Sequence, residues 1–394
     1  MRTIGTVVRG VRAPIIKAGD DLAQIVVDSI LDAQKEEGFK FRDKDIIAVT
    51  EAVVGKAEGN FVTVDDIAKD IKEKYSNGEV GLVFPILSRN RFSICLKGIA
   101  RGAKKIYIQL SFPSDEVGNG ILDEEIFEKS KYNLSSVISE KEYIKTFGKY
   151  IHPFTGINMV DFYRELVKSE DCEVEFVFSN DPKTILDYTN NVLVCDIHTR
   201  AKTKKLLSKK GVIVYDLTDI VTEPGELGGC NPEYGLLGSN KSTEEKLKLF
   251  PKTGQELVEK IQKMLKEKTG KVIEVMVYGD GAFKDPVGKI WELADPVVSP
   301  AYTSGLVGTP NELKLKYISD NKYKDLAGAE LIAAMKKEIK AKDKDLKGKM
   351  ETQGTTPRRL TDLIGSLCDL TSGSGDKGTP IVFIQGYFDN FADE

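Results

Sequence analysis

Histidine is nearly missing from this chain: His152 and His198 are the only two in 394 residues. Chemistry that needs an imidazole base therefore has few places to go, and structural roles suit both residues better. The five cysteines, Cys95, Cys172, Cys195, Cys230 and Cys368, never form a CxxC pair. Their odd number and scatter fit free thiols in a reducing compartment and argue against a zinc site. An excess of one charge is also lacking, since 57 basic against 61 acidic residues leave a net charge of -4. That balance provides no electrostatic footprint for nucleic acid or an anionic membrane, so neither is expected as a partner. No apolar window is long enough to cross a bilayer, and Met1 to Gly10 lacks the hydrophobic centre of a secretory signal, which gives the expectation of a cytoplasmic protein. Neither GxxxxGK[ST] nor a GxGxxG in a βαβ setting occurs, which disfavours a P-loop NTPase and a dehydrogenase.

What the chain does have is enough apolar content, 41%, to bury one large core or two moderate ones. The most informative stretch is Lys271 to Leu293, KVIEVMVYGDGAFKDPVGKIWEL. Val272, Ile273, Val275, Met276 and Val277 form an almost unbroken apolar run, as expected of a strand covered on both faces. Gly279 and Gly281 then bracket Asp280, and Asp285 precedes Pro286, so two carboxylates fall on a backbone-permissive turn where a strand ends. Sheet proteins place ligand chemistry there, and oxygen donors of this kind suit Mg²⁺ or Mn²⁺. An Asx turn that merely ends the strand is the alternative.

Taken in order, the chain reads as strands and helices in alternation. TIGTVVR at 3–9 is a first strand, and Asp20 caps a helix with Leu22, Ile25, Val26, Ile30 and Ala33 at helical spacing that ends near Gly38. A strand at Asp45–Val49 leads into TEAVVGKAEG, where Thr50, Glu51, Lys56 and Glu58 gather directly behind an apolar run. A lysine there can meet a phosphate as a point charge, or simply be solvated on a polar connection. A short helix at 65–75 and a strand at Gly81–Phe84 follow, then Arg89, Arg91 and Lys97 in a mixed stretch. From Pro113 to Glu170 only two helices, at 122–130 and 139–148, are suggested, and no chemistry. Strands at 173–179, 191–197 and 211–216, with the basic helical stretch RAKTKKLLSKK between the last two, give a βαβ pattern and a partly parallel sheet. The glycine-rich TEPGELGGCNPEYGLLGSNKS that follows is a long irregular loop in which Asn231, Glu233, Ser239 and Asn240 offer amide, carboxylate and hydroxyl groups to a nucleotide, a metal or an amino acid. Thr253 and Glu256 read as a capping box for a helix closed by Gly270. A helix at 326–340, another starting near Pro357, and a last strand IVFIQGY complete the chain, which shows no internal repeat.

Three of these stretches, in this order, resemble the coenzyme F420-0:gamma-glutamyl ligase family. GDDLAQIVVDSI with DIIAVTEAVVGKAEG looks like that family's N-terminal signature. Asn231 to Asn240, the following helix and VMVYGDGAFKDP are similar to its asparagine-and-glycine loop, helix, strand and aspartate turn. RRLTDLIGSLCDL with GTPIVFIQGY looks like its closing helix and strand. There are departures: Gly281 stands where the family tends to have threonine, Asp285 where it has arginine, and Gln385 where the last strand often has arginine. Residues 105–225 match poorly.

The resemblance implies an α/β (mixed α+β) fold of two intertwined subdomains with mixed sheets, working as a homodimer. Residues 1–110 and 226–394 would form the N- and C-terminal parts of the ligase domain, and 111–225 an inserted or divergent middle region. It further implies a GTP- (or ATP-) and Mg²⁺- or Mn²⁺-dependent enzyme that joins L-glutamate to an acid-bearing cofactor through an acyl phosphate. On that reading Lys56 and Asp280 are catalytic, and Asp280, Asp285 and Glu233 hold the metal. Thr50, Glu51, Glu58, Asn231, Ser239 and Asn240 line the nucleotide or amino-acid site. A glutamyl ligase acting on a folate or another acid, and a nucleotide- or metabolite-binding protein without turnover, are the alternatives.

Overall fold

The computed structural model describes residues 3–153, 155–279, 299–352, 358–372 and 376–393. Its architecture is mixed α/β, built on three sheets with helices packed against them. The first sheet has five strands in the order Val7–Val11, Ile381–Gln385, Ile46–Thr50, Glu274–Tyr278, Ala301–Tyr302. Only its central pair, Ile46–Thr50 and Glu274–Tyr278, is parallel. Their side chains alternate between faces as the pleat requires. Ile47, Val49, Val275 and Val277 pack with Val26, Ile30, Ile261 and Leu265 of the helices Leu22–Glu37 and Gly254–Thr269. Ile46, Ala48, Met276 and Tyr278 face Ile364 and Cys368 of the helix Leu360–Ser372. With both faces covered, the strands have no polar side to show, which is why they read as continuous apolar runs.

The second sheet runs Ile138–Ser139, Glu173–Phe178, Lys105–Leu110, Glu79–Val83, Asn191–Val194, Ile213–Asp216. All its neighbours are parallel except the short edge strand Ile138–Ser139. Counted along the chain, the parallel strands lie in the order third, second, first, fourth, fifth, so the winding reverses between Glu79–Val83 and Asn191–Val194. Such a reversal opens a crevice at the strands' C-terminal ends. Here the carboxylate of Glu116 lies across the reversal, accepting the backbone N–H groups of Ile197 and His198. Two helices overlooked in the sequence, Phe92–Gly102 and Met159–Lys168, cover one face through Leu96, Ile99, Tyr163 and Val167.

The third sheet is small and positions the site: the hairpin Asn240–Lys241 and Lys246–Lys248 pairs with Phe61–Thr63, matching Lys248 with Phe61. Several boundaries agree with the sequence reading, including the helix Gly254–Thr269 closed by left-handed Gly270. The capping box at its start does not form. Thr253 makes no side-chain cap; its hydroxyl and backbone N–H, with that of Lys252, are taken by Glu58. TEAVVGKA, read as a close-folding connection, is the helix Glu51–Ala57. All five cysteines are buried free thiols, and among the described residues no helix is long and apolar enough to cross a membrane.

Candidate functional site

The two central parallel strands end together. Thr50 and Tyr278 are register partners, so the chain leaves the sheet at one edge both at Glu51 and at Gly279. On the other flank Thr50 donates its N–H to the carbonyl of Pro380 at 3.0 Å, fixing the start of the last strand at that edge. The extended Thr50 turns directly into the helix Glu51–Ala57, which puts Glu51 at the strand end and buries it.

The hairpin closes over Glu51. Asn240 and Lys248 lie opposite each other in its register, so both side chains leave the same face. Lys248 Nζ donates to Glu51 Oε2, and Asn240 Nδ2 approaches Glu51 Oε1 at 3.5 Å. Gly55 makes this approach sterically feasible: a Cβ there would stand 2.9 Å from the carbonyl oxygen of Leu249. Next to Asn240, buried Ser239 places its hydroxyl 3.3 Å from the Cys95 thiol. Burial pushes that thiol up to about 11, so it is a packing group and no nucleophile at neutral pH. Lys241 N–H donates to Asn90 O at 2.7 Å, docking the loop that leaves the strand Glu79–Val83 onto the same hairpin. That loop carries exposed Arg89 and half-buried Arg91. The loop after the strand Glu79–Val83 and the strand-end residue Glu51 thus both meet the hairpin at Asn240–Lys241.

The residues expected from sequence divide accordingly. Thr50, Glu51, Ser239 and Asn240 come together. Lys56 is exposed in the last turn of the same helix, about 140° around the axis from Glu51. Glu58 is occupied in anchoring residues 252–253 at the start of the helix Gly254–Thr269. Asn231 is buried in a structural knot: its Oδ1 accepts from Glu233 N and Tyr234 N at 3.0 and 2.9 Å, and its Nδ2 donates to Phe250 O at 3.0 Å. Exposed Glu233 lies against the Tyr234 hydroxyl, whose pKa is raised by burial and by that carboxylate. Asp280 and Asp285 lie outside the described residues. Gln385, one of the departures from the family pattern, is at the opposite end of the sheet, roughly 13 Å along the strand. There it donates to Asp45 Oδ2 at 3.0 Å and to Lys40 O at 2.9 Å.

Lys248 is the residue that sequence reading missed. In EEKLKLFP it alternates with leucines like any solvated strand lysine, and nothing local reveals that its face of the hairpin is the covered one. For a divalent cation, the described donors are oxygen atoms of the type Mg²⁺ and Mn²⁺ take, but among the described residues no three His, Cys, Asp or Glu side chains form a metal-holding group. Of the residues expected to hold a metal, Asp280 and Asp285 lie outside the described residues, and Glu233 is exposed beside Tyr234.

A mixed α/β protein with a carboxylate, a lysine and an amide at the shared end of two parallel strands is the class that fold and site define. The sequence pattern of the F420-0:Gamma-glutamyl ligase family matches residues 10–386, and the chain belongs to that family. It is also similar to the coenzyme F420:L-glutamate ligase of Methanothermobacter thermautotrophicus, 36% identical over 66 residues. That similarity covers 16% of this chain and 25% of the relative, so the chain matches about a quarter of the relative's length.

Proposed function

We propose that this chain is an NTP- and metal-dependent acid–amino acid ligase that adds L-glutamate, through a gamma-glutamyl type amide bond, to an acid-bearing cofactor such as coenzyme F420-0. The observation that carries the reading is the pairing of Thr50 with Tyr278, which ends two parallel strands beside Glu51, Lys248 and Asn240, two residues before Asp280. Family membership supplies the reaction class.

A carboxylate is a poor acyl donor because oxide is a poor leaving group. Transfer of the nucleotide's terminal phosphoryl group to it gives an acyl phosphate and a nucleoside diphosphate. The glutamate amine, once it has lost its proton, then displaces phosphate and forms the amide. Such a reaction asks the protein mainly to position the partners and to balance charge. A divalent ion held by Asp280 and Asp285 would supply that balance at the phosphates. This chain's own cations, Lys248 and the arginines of the Asn90 loop, would attract and orient the anionic substrates, while Asn240 and Ser239 fix the hairpin that encloses them.

The test is purified protein with Mn²⁺, L-glutamate, GTP or ATP, and coenzyme F420-0 or a folate. Product gaining the mass of one or more glutamates, with equivalent release of nucleoside diphosphate, is expected, and Asp280→Asn should abolish it without loss of fold. Binding without nucleoside diphosphate release for every acceptor would replace the enzyme with a binding protein. Retained activity in Asp280→Asn would remove that residue from the mechanism.

A further inference from the structure

Glu51 and Lys248 form the most deeply buried ion pair among the described residues, with side chains 4% and 9% exposed. Burying an ammonium costs free energy that one carboxylate rarely returns in full, and a neutral pair of similar volume would pack there at least as well. The lysine therefore has no evident reason in stability. An ammonium also has three hydrogens to donate. Among the described residues Lys248 Nζ hydrogen-bonds only to Glu51, while the Asn240 amide nitrogen is turned to the same carboxylate. This under-used cation lies at the shared strand end, on the hairpin to which the loop of Arg89 and Arg91 is docked through Asn90.

We propose that Lys248 is a ligand-binding cation of this site: Glu51 holds the ammonium in place, and its remaining hydrogens meet an oxyanion of the substrate. The oxyanion is a nucleotide phosphate or the carboxylate of the amino acid, and that choice rests on the ligase reading. Glu51 is a positioning residue, which aims the ammonium and turns the Asn240 carbonyl oxygen away from itself.

Calorimetric titration of the full chain with GDP plus Mn²⁺, and separately with L-glutamate, tests this. Lys248→Met and the double variant Glu51→Gln, Lys248→Met are each expected to weaken one of the two ligands at least tenfold. Loss confined to GDP assigns the phosphate, and loss confined to glutamate assigns the carboxylate. The double variant removes both charges at nearly constant volume, so the contact between helix and hairpin survives. If neither neutral variant folds, Lys248→Arg serves: a guanidinium cannot replace an ammonium unchanged, so a contact with ligand shifts one affinity at least threefold. Wild-type affinities for both ligands in a folded variant, or no binding of either ligand by the wild type, overturn the proposal. Undiminished amide formation in Lys248→Met sinks it while leaving the ligase reading intact. Lys248-dependent binding in a protein that forms no amide sinks the ligase reading instead.

Discussion

Asp45 shows how far one buried carboxyl can be moved by its surroundings. It stands at the end of the five-stranded sheet remote from Glu51, 1% exposed, with Oδ2 accepting from Arg42 N at 2.8 Å and Gln385 Nε2 at 3.0 Å. Burial pushes its pKa up to about 6, against the downward pull of the Gln385 amide. A carboxyl whose folded pKa is raised favours folding while protonated. That stabilisation is complete below pH 3.8 and is lost as pH rises through about 6. Chemical denaturation of wild type and Asp45→Asn across pH 4 to 7.5 should show the stability difference moving in the variant's favour, by up to about 3 kcal/mol. A pH-independent difference would show that Asp45 is ionised normally. Buried amides contribute differently. Asn60 and Asn231 both donate to Phe250 O, at 2.9 and 3.0 Å, and Asn60 Oδ1 accepts Cys230 N–H at 3.0 Å, so together they pin the glycine-rich loop. Asn231→Ala should destabilise by about 1 to 3 kcal/mol through the backbone donors of Glu233 and Tyr234 left unmet, visible as a lower denaturation midpoint. If stability is kept and ligand affinity falls, Asn231 is a binding residue after all.

Among the elements, the pair Val64–Lys74 and Phe92–Gly102 shows what small residues do at a helix contact. A Cβ on Gly98 would stand 2.6 Å from Ile67 Cβ, and one on Gly102 would stand 2.7 Å from the carbonyl oxygen of Ala68. The two glycines are therefore spacers that let the helices meet. Gly98→Ala gains up to about 1 kcal/mol in helix propensity but overpacks a filled contact, which costs about 1 to 3 kcal/mol. A net loss of stability in urea titration is expected, and a stabilised variant would mean that the helices part without cost. The same glycines hid this helix in the sequence, since FSICLKGIARG, with two glycines, lacks the propensity of a strong helix former. The helix Leu22–Glu37 was plain from its one-sided apolar stripe and left-handed Gly38, although its cap is Asp21, which accepts from Gln24 N, and not Asp20.

At the scale of the molecule, the six-stranded sheet is assembled across residue 110, joining Glu79–Val83 and Lys105–Leu110 to strands from 173 to 216. It supplies the Asn90 loop to a hairpin that also meets Glu51, at the end of a strand of the five-stranded sheet, so the site draws on both sheets. A dimer is proposed on the family likeness. Light scattering behind size exclusion is expected to give twice the chain mass, and a monomeric mass would refute it.

Hydrophobic patterning was sufficient to read most strands and a partly parallel sheet from the sequence, because a strand covered on both faces is apolar at most of its positions. It also brought Thr50, Glu51, Ser239 and Asn240 forward, since polar groups directly after apolar runs stand out. Lys248 entered the site only through tertiary structure. Its burial follows from the hairpin's contacts with Glu51, 189 and 197 residues away in sequence, and from the close approach at Gly55. No local pattern encodes which face of a short hairpin a distant helix will cover.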